Sequence, residues 1–206
     1  MDAEAVTQLF TRGDGSYLFA RWDRPIVPVV FGVEEATLAV VKGAIEAVAH
    51  LAGHRMAETD PELGANLMLF FLRDWDELLA VPGLDGLVPE LAGLVPRLAA
   101  AGANQYRLFR FEPGGAIRAA FVFLRMDAAL QAMDAGDLAL AQAVRVILLW
   151  AERAFAGTSP LARLDGRVVL RPEVAAVIRA GYDPVLPAVA RDASHAMRLA
   201  ARLPRG

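Results

Sequence analysis

The chain has 206 residues, with 21 basic and 24 acidic side chains, a net charge of −3 and a hydrophobic fraction of 56%. It contains no cysteine, which excludes disulfides, thiolate zinc sites, iron–sulfur clusters and a cysteine nucleophile. The hydrophobic fraction excludes a disordered chain, and the slightly negative charge gives no support for nucleic-acid binding. The length predicts a single domain, with an N-terminal extension (1–20), a sheet-containing part (21–126) and a helical part (127–206).

Two segments bear on targeting and membranes. Residues 1–15 lack the basic region and apolar core of a signal peptide. The most apolar window, 138–155, contains Gln142, Arg145 and Glu152, whereas a transmembrane helix needs about 20 nearly uncharged residues. We therefore predict a soluble, cytoplasmic protein of bacterial type with no membrane partner.

The first half of the chain predicts strands and helices in alternation. Ile26–Phe31 is β-branched and predicts a strand, and Pro28 predicts that it lies at a sheet edge or starts with a bulge. Glu34–Leu51 has apolar residues at helical spacing. Asn66–Leu72 is apolar on both faces, as a central strand is. A short helix begins near Asp74, where a glutamate three residues later suggests a capping box.

The second half predicts a hairpin followed by helices. Short helices are expected over 82–104, where proline and glycine recur. Two strands, Gln105–Glu112 and Ala116–Leu124, flank a Pro-Gly-Gly turn. The helices that follow are predicted at Asp127–Met133, Asp137–Phe155, Pro172–Ala180 and Asp192–Leu203. This order predicts an α+β fold: a small mixed sheet, helices packed on one face, and a helical C-terminal part.

The spacing of Glu46, His50 and His54 permits a metal site, because residues four apart lie on one face of a helix. The alternative is that histidine simply favours a helix C-terminus, where the helix dipole stabilises its cation. The helix C-terminus is the favoured explanation, because Gly53 would end the helix before His54. We therefore predict no metal, with these three residues as a weak alternative.

Catalytic motifs are sparse. Asp192, Ser194 and His195 lie within four positions, but neighbouring residues of a helix do not face each other, so they do not predict a triad. Asp192 is better explained as a helix cap. The sequence shows no nucleophile elbow, phosphate-binding loop or dinucleotide fingerprint. We expect no cofactor and no catalytic residue, and the sequence leaves open whether the protein is an enzyme, with the balance against it.

Four residues are candidates for ligand binding in a cleft. Glu152 follows Trp150 in the apolar 138–155 segment, and Arg145 lies in the same segment. A buried acid there could act as a base if its pKa rose, although such a residue more often pairs with arginine. Arg107 of the hairpin and Tyr182, at the turn after a helix, complete the set.

The hairpin also alternates basic and aromatic residues, as RNA-binding sheets do. Arg107, Arg110, Arg118 and Arg125 carry its positive charge. Strand alternation would turn many of the aromatic rings inward, and no matching RNA-binding motif is present. We expect no nucleic-acid partner.

Charge is distributed unevenly between the two halves of the chain. Residues 1–103 carry a net −8 and residues 104–206 a net +5. Such polarity can steer an anionic ligand to the second half or support head-to-tail association, but solvated faces that fold back on one another are the favoured explanation.

Four stretches in chain order carry a family resemblance: 21–26 (RWDRPI), 65–70 (ANLMLF), the hairpin 106–124, and the tail 170–184 with its LRP and GYDP segments. They resemble the first strand, the second strand, the hairpin ahead of the active helix and the closing tail of a bacterial family of lipoprotein-like proteins with a zincin-like (metzincin-type) fold. The family's active helix carries H-E-x-x-H, two zinc-binding histidines and a glutamate base. Residues 140–152, where that helix would lie, contain no histidine.

The resemblance therefore implies a relative that has lost its zinc site. On this basis we expect a non-catalytic, zincin-like binding or interaction module. The alternative is a metal-independent enzyme or small-molecule binder that uses a cleft beside helix 138–155. A protein partner or a homo-oligomer is compatible with the high hydrophobic fraction.

Overall fold

The structure, a computed structural model, describes residues 1–204. The strands are β1 (Phe19–Ala20), β2 (Pro28–Phe31), β3 (Leu67–Leu72), β4 (Gln105–Phe111), β5 (Ile117–Arg125), β6 (Leu161–Leu164), β7 (Arg167–Leu170) and β8 (Val189–Ala190). The α-helices are α1 (Ala3–Gln8), α2 (Glu35–Leu51), α3 (Leu84–Leu87), α4 (Leu91–Ala100), α5 (Ala128–Gln131), α6 (Ala135–Ile147), α7 (Pro172–Gly181) and α8 (Ser194–Ala200). A 3-10 helix spans Trp75–Ala80.

The main sheet has four strands in the order β2-β3-β5-β4. β2, β3 and β5 are parallel, and β4 pairs with β5 in an antiparallel hairpin. β3 lies inside the sheet, which explains why all six of its residues are apolar. β2 lies at an edge of the sheet, where the N–H that Pro28 lacks is not needed for a hydrogen bond to a neighbouring strand. The fold is therefore α+β with a mixed sheet.

Helices cover both faces of this sheet, so the prediction of helices on one face is wrong. α2 and α6 pack on the face formed by Leu69 and Val122, while the 3-10 helix, α3 and α4 pack on the face formed by Phe70 and Phe121. Successive residues of a strand point to opposite sides, and both sides of β3 and β5 are apolar. Each face therefore has to be buried against its own helices.

The first twenty residues belong to the core rather than to an extension. Val6, Phe10 and Phe19 are fully buried. α1 packs against α8, and β1 pairs with β8, so the two ends of the chain are joined. The predicted helix at the C-terminal end is shorter than expected, since α8 ends at Ala200.

The helix predicted over Asp137–Phe155 ends at Ile147. Leu148 is extended (φ −132°, ψ 157°), and Leu149 donates its N–H to the carbonyl of Ala20. Trp150 stacks on Phe10 with 5.3 Å between ring centroids. Apolar residues continue past the helix because this extended segment is also buried, so the pattern alone could not show the end of the helix.

The β6–β7 hairpin is not among the elements predicted from the sequence. Asp165 and Gly166 form its turn with positive φ angles of 50° and 77°. An Asp-Gly pair between two apolar runs is a recognised signal for this turn. The longest helix, α2, has 17 residues, and within residues 1–204 no helix is long and apolar enough to cross a membrane.

Candidate functional site

A cleft of about 620 Å³ lies between β4 and the chain segment that follows α6. Its walls come from four parts of the chain: residues 12–18, β4, the end of α6, and residues 149–155. Three predicted ligand-binding residues, Arg107, Arg145 and Glu152, line this one cleft. The volume falls in the range of about 300–1,000 Å³ that is typical of small-molecule sites.

Arg107 extends from β4 towards α6. Its Nη2 donates hydrogen bonds to the side-chain oxygens of Gln105 and Gln142. Gln142, which is buried, also donates from its amide to Gln105. These neutral amides fix the guanidinium without neutralising it, and in the described chain the buried Nε of Arg107 has no hydrogen-bond partner.

Arg145 lies near the end of α6 and reaches the same cleft. Its guanidinium carbon lies 5.2 Å from the centroid of the Phe155 ring, a cation–π contact. Across residues 1–204, neither Arg145 nor Arg107 forms a salt bridge with an acidic side chain. The cleft therefore holds two guanidinium groups without counter-ions.

Burial in the cleft lowers the pKa of both arginines. Burial lowers the pKa of Arg145 below its usual value. Burial, with a further contribution from the charge of Arg145, lowers the pKa of Arg107 to about 10. Both groups remain cationic at neutral pH. The loss of hydration disfavours both charged forms, and repulsion from Arg145 further disfavours that of Arg107.

Glu152 lies at the rim rather than inside a helix. One carboxylate oxygen is 2.6 Å from Nη2 of Arg12, and the other accepts the N–H of Gly13 at 3.2 Å. Its side chain is 52% exposed. Glu152 therefore ties the loop before β1 to the cleft, and it is not the buried acid that could serve as a base.

The remaining wall is largely apolar. It includes Leu18, Phe109, Leu149 and Phe155, which are partly or fully buried beside the core. Trp150 also lines the cleft, with its Nε1 donating to the carbonyl of Val144. A ligand held here would contact aromatic and aliphatic surface around a cationic centre.

Tyr182 does not reach the cleft, so the prediction that it acts with the other three is not supported by its position. Its hydroxyl donates to the carbonyl of Ile147 at 2.8 Å, and Arg21 lies over its ring at 5.3 Å. Burial raises its pKa above the usual value. Tyr182 therefore anchors the end of α6.

Glu46, His50 and His54 are not brought together as a metal site. α2 ends before His54, whose Nε2 donates to the carbonyl of Arg24 at 2.9 Å. Glu46 and His50 are exposed on α2. Among residues 1–204, no group of three histidine, aspartate or glutamate side chains could hold a metal ion.

The Asp192, Ser194 and His195 side chains do not form a triad. Asp192 accepts the N–H of Ser194, but the N-cap of α8 is Ala193, so the prediction that Asp192 caps this helix is wrong. His195 turns inward, with its Nδ1 3.0 Å from the hydroxyl of Tyr17. The other hairpin arginines leave the cleft as well: Arg110 donates to the carbonyl of Leu87, Arg118 pairs with Glu62, and Arg125 pairs with Asp127.

Sequence reasoning missed Arg12, Gln105 and Gln142 as parts of the site. Gln142 carried a usable signal, because it is a lone amide inside the apolar stretch of α6, three residues before Arg145. Arg12 carried none, since its place depends on a contact across 140 positions of the chain. Comparison with protein-family models, with curated proteins and with solved structures found no match.

Proposed function

We propose that this protein is a non-catalytic binding protein whose cleft takes a small organic anion. The observation that carries the proposal is that Arg107 and Arg145 line one cleft without an acidic partner in residues 1–204. An arginine that is withdrawn from water is unfavourable unless it is paired. A bound anion would supply the missing partner through charge-assisted hydrogen bonds.

The small-molecule alternative from the sequence is favoured here over a protein partner. The cleft is concave, has a volume suited to a small ligand, and combines apolar walls with a few convergent polar groups. A protein partner or a second copy of the chain remains a prediction of the sequence.

The zincin-like relation remains part of the proposal. The resemblance makes the helix after the hairpin the active helix, and the corresponding helix, α6, borders the cleft. α6 contributes Gln142 and Arg145 and contains no histidine. These residues support the capture of an anion beside the helix that the resemblance equates with the family's zinc-binding helix.

Binding can be tested with a charged and an uncharged probe of similar shape, anilinonaphthalene sulfonate and phenylnaphthylamine. We expect the sulfonate to bind with one-to-one stoichiometry and the neutral amine to bind at least about tenfold more weakly. The double variant Arg107→Gln/Arg145→Gln should lose about tenfold or more in affinity for the sulfonate and little for the amine. Fluorescence titration measures both.

Arg110→Gln is the matched control, because Arg110 lies on the same strand but points to the opposite face of the sheet. It should leave sulfonate affinity unchanged. Equal sulfonate affinity in the wild type and the double variant, or no binding at all, would overturn the proposal.

A further inference from the structure

We infer that the ligand is a small aromatic molecule carrying a dianionic group, with a phosphate monoester as the group that fits best. This inference rests on the proposed function, because it specifies which anion the same cleft takes. Three features of the cleft support it: its residual charge, the arrangement of its donors and the nature of its walls.

The charge of the lining favours two negative charges over one. The ionisable side chains that line the cleft are those of Arg12, Tyr106, Arg107, Arg145 and Glu152. Arg12 and Glu152 pair with each other. Two positive charges, on Arg107 and Arg145, are then left for a ligand to compensate. A monoanion would leave one of them uncompensated, whereas a dianion matches both.

The donors are suited to a group with several acceptor oxygens. Arg145 carries a planar fork that can bind two oxygens of one phosphate or carboxylate. Arg107 and Arg145 reach the cleft from different elements, β4 and α6, and the charge of Arg145 contributes to the lowered pKa of Arg107. A tetrahedral phosphate presents three acceptor oxygens, enough to accept from both guanidinium groups.

Gln105 and Gln142 hold the Arg107 fork in place. Both amide oxygens accept from Nη2, so this end of the guanidinium is fixed against the protein. Nη1 is then the nitrogen of Arg107 that is left to donate to a ligand. Such pre-orientation reduces the entropy lost when a ligand binds.

The walls beside this cationic centre favour a flat apolar body. Phe155 already lies beneath Arg145, and Phe109 and Leu149 complete the nearby surface. A volume of about 620 Å³ leaves room for one or two fused rings as well as the phosphate. Aromatic rings gain from contact with other rings as well as from simple burial.

Isothermal titration calorimetry with three probes tests the inference: naphthyl phosphate, naphthalene sulfonate and inorganic phosphate. Naphthyl phosphate carries the ring and two charges, the sulfonate carries the ring and one charge, and inorganic phosphate lacks the ring. At pH 7.5 we expect naphthyl phosphate to bind at least about tenfold more tightly than either of the others.

The pH dependence gives a second readout. The second proton of a phosphate monoester leaves with a pKa of about 6, so the dianion fraction rises about tenfold between pH 5 and pH 7.5. Naphthyl phosphate affinity should rise about five- to tenfold, with about fivefold expected when the monoanion binds about tenfold more weakly than the dianion. The sulfonate keeps one charge over this range, so its affinity reports any change in the protein itself and should stay constant.

Arg145→Gln should abolish the preference for phosphate over sulfonate, whereas Arg110→Gln should preserve it. If the sulfonate and the phosphate ester bind equally, the inference that the ligand is a dianion is overturned, while the proposed function stands. If inorganic phosphate binds as tightly as its naphthyl ester, the aromatic body is overturned. If none of the three binds, the inference and the proposed function both fail.

Discussion

His195 is 3% exposed, and its Nε2 has no hydrogen-bond partner within the described chain. Its ring lies against Phe19, with 4.4 Å between centroids. Burial, with smaller contributions from the charges of Arg198 and Arg202, lowers its pKa from 6.5 to about 4. The folded protein therefore holds this histidine neutral in mildly acidic solution, where the unfolded chain would protonate it.

Stability should consequently fall as the pH falls from about 6.5 towards 4, because the unfolded state then binds the proton that the folded state does not. Between pH 7 and pH 5 the free energy of unfolding should drop by about 2 kcal/mol through this residue. His195→Gln should remove that part of the slope. Urea unfolding at the two pH values measures it, and carboxylates titrate mostly below this range.

The exposed His50 provides the matched control, since His50→Gln should keep the wild-type slope. Part of the slope will remain in His195→Gln, because burial also lowers the pKa of His54. An unchanged slope in His195→Gln would show that the buried ring is not the group that titrates.

At the same scale, residue types indicated part of the candidate site. Arg145 and Glu152 stood out as charged residues in an apolar segment and Arg107 as a cation of the hairpin, and the structure places all three around one cleft. Tyr182, chosen for its place at the turn after a helix, has a structural contact with the end of α6 instead. The surroundings of a side chain depend on residues far away in the sequence, so they cannot be predicted from residue type alone.

At the scale of the element, the connection from β2 to α2 depends on Gly32. Its φ is +80°, and a Cβ built there would lie 2.1 Å from the carbonyl oxygen of Phe71. That oxygen belongs to the backbone of the neighbouring strand and cannot move aside cheaply. The position therefore requires glycine on grounds of both conformation and space.

Gly32→Ala should reduce the free energy of unfolding by roughly 3 kcal/mol or more, combining an unfavourable φ with a backbone clash. Gly83→Ala is the control, because Gly83 has a similar φ of +73° and nothing within 4 Å of the added Cβ. It should lose only about 1 kcal/mol. Chemical denaturation of both variants checks the difference, and equal losses would contradict the role of the Phe71 contact.

Element prediction from sequence succeeded where local pattern decides the structure. The β2 strand, α2, β3 and the β4–β5 hairpin have the predicted types and bounds within about two residues. It failed at the end of α6, where apolar residues continue into an extended buried segment. It also missed the β6–β7 hairpin, despite the Asp-Gly turn.

At the scale of the whole molecule, the N-terminal segment closes the core and one side of the cleft. Phe10 contacts the rings of Tyr17, Phe19 and Trp150. Leu18 and Arg12, from the same segment, line the cleft. Sequence pattern could not show this, because the contacts of Phe10 with Trp150 and of α1 with α8 join residues more than a hundred positions apart.

Phe10→Ala should therefore lower the free energy of unfolding by about 3–5 kcal/mol, as expected when a large aromatic side chain is removed from a core. Phe31→Ala is a matched control, because Phe31 is 44% exposed at the sheet edge. It should cost about 1 kcal/mol, mostly from its stacking on Phe70. Urea denaturation compares the two, and similar losses would show that the segment behaves as an extension after all.

The two arginines without counter-ions also affect how the protein would persist in a cell. An empty cleft leaves the folded state less stable than it could be, whereas an occupied cleft adds the free energy of binding to the free energy of folding. Proteases and chaperones act on the unfolded fraction, so the amount of this protein would follow the concentration of its ligand. The charge arrangement that we propose selects an anion would thereby also set the lifetime of the chain.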